Sequence, residues 1–113
     1  MTKPLNFNNS RKKYLTVILN DEKNTTLLVG TPTKAIMNEL ISLQKDINSM
    51  GGGEVDMESL ELLYELSATL MSRNKTNTKV TKEQLENTLD LEDIFTFFTA
   101  YMEFIEDVSK GKN

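Results

Sequence analysis

The chain has 113 residues and contains no cysteine, histidine or tryptophan. That composition excludes a disulfide framework, a thiolate or imidazole metal site and histidine-based acid–base catalysis, and it leaves room for one domain with one modest core. The net charge of -4 repels phosphate backbones, and it is unevenly spread: residues 1–13 are basic through Lys3, Arg11, Lys12 and Lys13, whereas residues 54–65 carry Glu54, Asp56, Glu58, Glu61 and Glu65 without a base.

Residues 1–12 are polar and include Pro4, and they read as a flexible basic arm with no apolar core of a secretory leader. No apolar run approaches the ~20 residues of a membrane span, so a cytoplasmic protein is expected. Tyr14 to Leu19 is rich in β-branched and aromatic residues, Asn20 to Asn24 is a polar turn, and Thr25 to Val29 resumes the β pattern. Together they predict a hairpin that must lean on helices, since two strands alone are marginal in water. Thr31 and Pro32 read as cap and first residue of a helix whose apolar positions are Ile36, Met37, Leu40, Ile41, Leu43 and Ile47. Gly51, Gly52 and Gly53 then form a joint.

Asp56 caps a second helix running to Arg73, with Leu60, Leu63, Tyr64, Leu66, Leu70 and Met71 on its apolar side. Thr81 and Gln84 make a capping box for a short helix to about Leu89, and Asp90 with Asp93 opens a long one to about Ser109. The expected fold is therefore α+β and mainly α: a two-stranded hairpin packed on a bundle of about four helices, within a single domain over residues 13–110 and followed by a disordered tail at 111–113.

Reactive chemistry is hard to assemble from these residues. The Gly51–Gly53 cluster follows a helix and lacks the Lys-Ser/Thr end of a phosphate loop. Ser42 and Lys45 match Ser-x-x-Lys, but the companion motifs of penicillin-binding enzymes are absent. The carboxylate pairs Glu61/Glu65 and Glu103/Asp107 sit at helical spacing among polar neighbours, the pattern of a solvated face. No enzyme activity, cofactor or metal is expected.

The last helix carries unusual apolar surface. Leu91, Ile94, Phe95, Phe98, Tyr101, Met102, Ile105 and Val108 form one stripe, sufficient to seat it on a core. Phe97 and Phe104 lie beside that stripe, with Tyr101 and Val108 on their side. Two readings follow: a central helix touched on two sides, or an aromatic patch for a partner or a second copy. On the second reading the candidate partner-binding residues are Phe97, Tyr101, Phe104 and Val108, with Leu62 and Leu66 of the second helix.

The layout resembles the tail assembly chaperones of long-tailed phages, most closely those of Gram-positive hosts. The resemblance covers roughly residues 12–109 and is carried by Lys13-Tyr14-Leu15-Thr16-Val17-Ile18-Leu19, by Gly30-Thr31-Pro32-Thr33-Lys34, and by Val80-Thr81-Lys82-Glu83-Gln84-Leu85-Glu86 followed by Leu89 and the aromatic helix. It implies a non-enzymatic assembly factor in the cytoplasm of the infected host, absent from the finished tail. Such a factor keeps the tape-measure protein soluble and helps recruit tail-tube protein, the latter mainly through a longer frameshifted form. This chain would be the short form, and Lys112-Asn113 can be encoded by a slippery heptamer. Self-association is expected of a protein that coats a long filament. The alternative is a small phage or bacterial regulatory or inhibitor subunit acting through the aromatic helix. A third class, nucleic-acid binding through the arm with Lys75, Lys79 and Lys82, predicts only weak salt-sensitive contact, so no nucleic-acid or membrane partner is expected.

Overall fold

The computed structural model describes residues 13–49 and 56–110, without the side chain of Ser49; the expected basic arm, the triple-glycine joint and the tail at 111–113 lie outside them. The protein is α+β and mainly helical. An antiparallel hairpin of β1 (Leu15–Ile18) and β2 (Thr26–Val29) precedes α1 (Lys34–Ser49), α2 (Met57–Ser72), α3 (Lys82–Thr88) and α4 (Leu91–Ser109).

Local signals in the chain set most element ends. Asp56 accepts a hydrogen bond from the Glu58 N–H and starts α2, and Arg73 closes it. Thr81 with Gln84, and Asp90 with Asp93, form complete capping boxes for α3 and α4. The start of α1 differs from expectation. Its cap is Thr33, whose hydroxyl accepts the Ile36 N–H at 3.3 Å, and the helix begins at Lys34. Thr31 lies three residues before that start. It serves instead in a seam: its carbonyl accepts from the Arg73 guanidinium at 3.3 Å, next to Gly30, whose N–H donates to the Arg73 carbonyl at 3.0 Å.

The central helix is α2. It packs against α1, α3, α4 and β2, and its buried residues Ser59, Leu63, Tyr64, Leu66, Ser67, Ala68, Leu70 and Met71 spread over rather more than half of its circumference, opposite an exposed face of Glu58, Glu61, Glu65 and Thr69. A helix touched from several sides needs a wide face of apolar or small residues, which Ser67 and Ala68 help to supply. Around it Leu27, Val29, Leu40, Leu43, Leu85, Ile94 and Tyr101 are fully enclosed.

Two loop anchors hold this packing in place. The Asn74 amide donates to the carbonyls of Met71 at 2.7 Å and Thr78 at 2.6 Å, while its oxygen accepts the N–H groups of Thr76 at 3.1 Å and Thr78 at 2.8 Å. Ser72 exchanges hydrogen bonds with the Val80 backbone at 2.8 and 2.9 Å. The connection between α2 and α3 is thus knitted from inside, and it reaches across to the sheet, where Lys75 N–H donates to the Leu28 carbonyl at 3.0 Å.

The Tyr101 hydroxyl donates to the Gly30 carbonyl at 2.8 Å and ties α4 to the end of the hairpin. Burial pushes its pKa well above the ordinary 10.0, with the Arg73 charge opposing only in part. A folded pKa above the unfolded one means that the neutral phenol stabilises the fold fully below pH 10, and that this contribution drains away as pH rises beyond it. Tyr64, donating to the Leu89 carbonyl at 2.8 Å, is raised in the same direction by burial and then by Asp90, Glu86 and Asp93. Tyr101→Phe is therefore expected to cost about 1 kcal/mol at neutral pH and to flatten, without abolishing, the fall in stability above pH 10. Urea titrations at stepped alkaline pH measure both, and an unchanged alkaline slope would refute the assignment.

Candidate functional site

Helices α1 and α4 both pack on α2 but stand apart from each other, and between them runs a groove of about 500 Å³. Met37 and Ile47 line it from α1, and Phe95, Phe98, Met102 and Ile105 from α4. Met37, Ile47, Phe95, Met102 and Ile105 are only half-buried, so an apolar strip stays open to solvent along the length of both helices.

Charge is confined to one side. Glu103 and Glu106 border the groove on α4, and Glu92 continues the acidic edge in the adjoining hollow beside Phe95. On α1 the bordering groups are the neutral amides Gln44 and Asn48. Lys110 approaches Glu106 at 3.9 Å, but both side chains are largely exposed, and the pair leaves the edge acidic. An apolar floor with charge at the rim is the surface that receives an amphipathic helix, whose apolar face fills the strip while its polar face stays wet. The two groove methionines suit it to helices of differing side-chain shape.

Of the two readings of α4, the packing supports the central helix for the inner rings. Phe97 is 7 % exposed, Tyr101 0 % and Leu66 5 %, so all three belong to the core. Phe97, Tyr101 and Phe104 form a ladder with successive ring centroids 5.8 Å apart, directed inward. Phe104, Val108 and Leu62 are half-buried at its margin. The true arc is centred on Ile94, Phe97, Phe98 and Tyr101, about 40° around the helix from the centre of the stripe read off the spacing. That rotation sinks Phe97 and brings Phe95 and Met102 to the surface. The sequence did place Phe95, Met102 and Ile105 on one stripe with Met37 and Ile47 on α1, yet nothing in it revealed that α1 and α4 would stop short of each other.

The remaining candidates for chemistry resolve into structure. Glu61, one of the spaced carboxylates, is ion-paired with Lys82, which also lies 3.9 Å from Glu86, fastening α3 to α2. Lys75 sits 5.9 Å above the Tyr14 ring. Among the described residues no group of three or more Asp and Glu side chains is placed to hold a metal ion, and no helix is long and apolar enough to cross a membrane. Comparison with protein-family models, with curated proteins and with solved structures finds no match to this chain.

Proposed function

We propose that this chain is a tail assembly chaperone of the kind made by long-tailed phages, and that it works by holding amphipathic helices of the tape-measure protein in the α1–α4 groove. One observation carries the reading: an open apolar groove between two helices, acidic on one lip and free of charge on the other. The tape-measure protein is a long, largely helical chain with apolar stripes, and it needs such cover until tail-tube subunits enclose it. The acidic body keeps the complex soluble when the groove is empty or full. On this reading the protein acts in the cytoplasm of the infected host, helps bring in tail-tube protein, is left out of the finished virion and performs no reaction. The burial of Phe97 and Tyr101 removes support from the version of a regulatory subunit that would act through those rings.

Coexpression with the tape-measure protein of the same phage tests the reading. The wild-type chain is expected to move most of the tape-measure protein from the pellet to the soluble fraction and to copurify with it. Met102→Glu together with Ile47→Glu is expected to abolish both effects while the variant itself stays folded. Solubilisation by the folded variant as good as by wild type would dispose of the groove, and an insoluble tape-measure protein with wild type would dispose of the function.

A further inference from the structure

The sheet has two edges, and they are treated differently. On the β2 side, residues 73–75 close the edge: Gly30 N–H donates to the Arg73 carbonyl, Lys75 N–H donates to the Leu28 carbonyl, and Val29 forms a bridge with Asn74. On the β1 side no segment of the described residues takes that place. Leu15 pairs with Val29, Thr16 with Leu28, Val17 with Leu27 and Ile18 with Thr26, and the Leu19 N–H donates to the Thr25 carbonyl at 2.8 Å. That alternation gives Leu15, Val17 and Leu19 the bonds to β2 and points the N–H and C=O groups of Thr16 and Ile18 outward.

Beside this outward edge lies a cleft of about 300 Å³, bordered by residues 15–20 on one side and by Leu89, Asp93, Thr96, Phe97 and Ala100 on the other. Helix α4 therefore extends past the rim of the sheet and forms a floor with no strand above it. The burial pattern agrees. Leu27 and Val29, facing the core from β2, are 0 % exposed, whereas Leu15 and Val17, facing the same way from β1, remain half-buried. The edge is short, at four residues, but no side chain guards it. Leu15–Ile18 contains no lysine, proline or bulge, and Ile18 is 64 % exposed.

We propose that this edge is a second docking site, taking an extended segment of a partner chain as a third, edge-on strand. Each part of the site specifies part of the ligand. The outward backbone groups of Thr16 and Ile18, unpaired among the described residues, require an extended main chain. The floor of Leu89, Phe97 and Ala100 requires apolar side chains at every second position. Asp93 requires a basic residue at one end. The tie from Tyr101 to Gly30, next to the partner of Leu15, sets Ala100 toward the start of β1, so Asp93 lies toward Asn20. The Asp93 carboxylate caps α4 through one oxygen, at 3.3 Å from the Asp90 N–H, and presents its charge to the cleft. This site is on the flank of α4 away from the α1–α4 groove and does not depend on what fills that groove.

The test uses the full chain and a fluorescein-labelled peptide of alternating valine and threonine ending in lysine, with a twin methylated on its strand-pairing amides. Anisotropy is expected to show saturable binding of the first peptide and none of the twin. Amide exchange at Thr16 and Ile18 is expected to slow about tenfold or more at saturation. Thr16→Pro removes an outward N–H without touching a β1–β2 bond and is expected to weaken binding about tenfold; should it misfold, the methylated twin still decides. Asp93→Asn keeps the helix cap and is expected to weaken only peptides carrying the lysine. Equal binding of the twin, or unchanged exchange at Thr16 and Ile18, overturns the proposal. So does slow exchange in the free chain: reversed by deleting residues 1–12, it assigns the edge to the chain's own arm; dependent on protein concentration, it assigns it to a second copy.

Discussion

Asn74→Ala is expected to lower the stability of the protein by about 3 kcal/mol, the largest effect of any single polar substitution. Asn74 is 6 % exposed, and among the described residues its amide is the only side chain bonding the Met71 and Thr78 carbonyls and the Thr76 and Thr78 N–H groups. Truncation to alanine removes both the donor and the acceptor, and the peptide groups that closed on them lose their partners without gaining easy access to water. The damage travels further, because Asn74 bridges Val29 and its neighbours carry the seam to β2. Urea unfolding should show the loss in the midpoint, and a thermal melt should fall by about 15 °C for a domain of this size. Asn74→Asp keeps the acceptor but sets a carboxylate against the Met71 and Thr78 carbonyls. It is expected to be worse than alanine at pH 7 and to recover as acid neutralises the introduced group. An alanine variant melting within a degree or two of wild type would mean that the loop holds itself without this side chain.

Phe97→Ala and Phe95→Ala, two positions apart on one helix, are expected to fail in opposite assays. Phe97 is enclosed and stacked on Tyr101, so its removal leaves a cavity and costs about 3 kcal/mol. Phe95 stands half-buried on the lip of the α1–α4 groove, where the space it vacates opens to water, and its loss should cost under about 1 kcal/mol. Binding should rank the other way. Phe95→Ala removes groove surface and weakens capture of an amphipathic helix, whereas Phe97→Ala binds normally at temperatures where it stays folded. Chemical denaturation and a helix-binding titration on both variants give a two-by-two outcome. If Phe95→Ala unfolds as readily as Phe97→Ala, the groove is part of the core.

The fold was largely legible in the sequence because its boundaries are written in short-range chemistry. Asp56, Thr81 with Gln84, and Asp90 with Asp93 act on backbone N–H groups two or three residues away, and such signals do not depend on the rest of the molecule. Thr31 misled because two threonines flank Pro32 and both suit a cap; Thr33 takes that place, while the Thr31 carbonyl meets Arg73. The candidate site was legible only in part. Helical spacing fixes which residues share a face, but the direction of that face depends on where neighbours sit. On α4 two overlapping arcs share Tyr101 and Val108, and packing on α2 selected one centred between them. The gap between α1 and α4, and the uncovered rim at β1, are properties of the assembled chain and have no signature in either strand or helix alone.

The seam between residues 28–30 and 73–75 has a consequence for the order in which the molecule is made. The hairpin leaves the ribosome before the helices, yet its closing partners at Arg73 and Lys75 are translated some forty residues later and its tie to Tyr101 later still, 71 residues beyond Gly30. Until α2 is made, Leu27 and Val29 have no helix to pack on, and a lone two-stranded ribbon does not persist in water. The hairpin must wait, exposed and unsettled, for the helices that cover it to be synthesised.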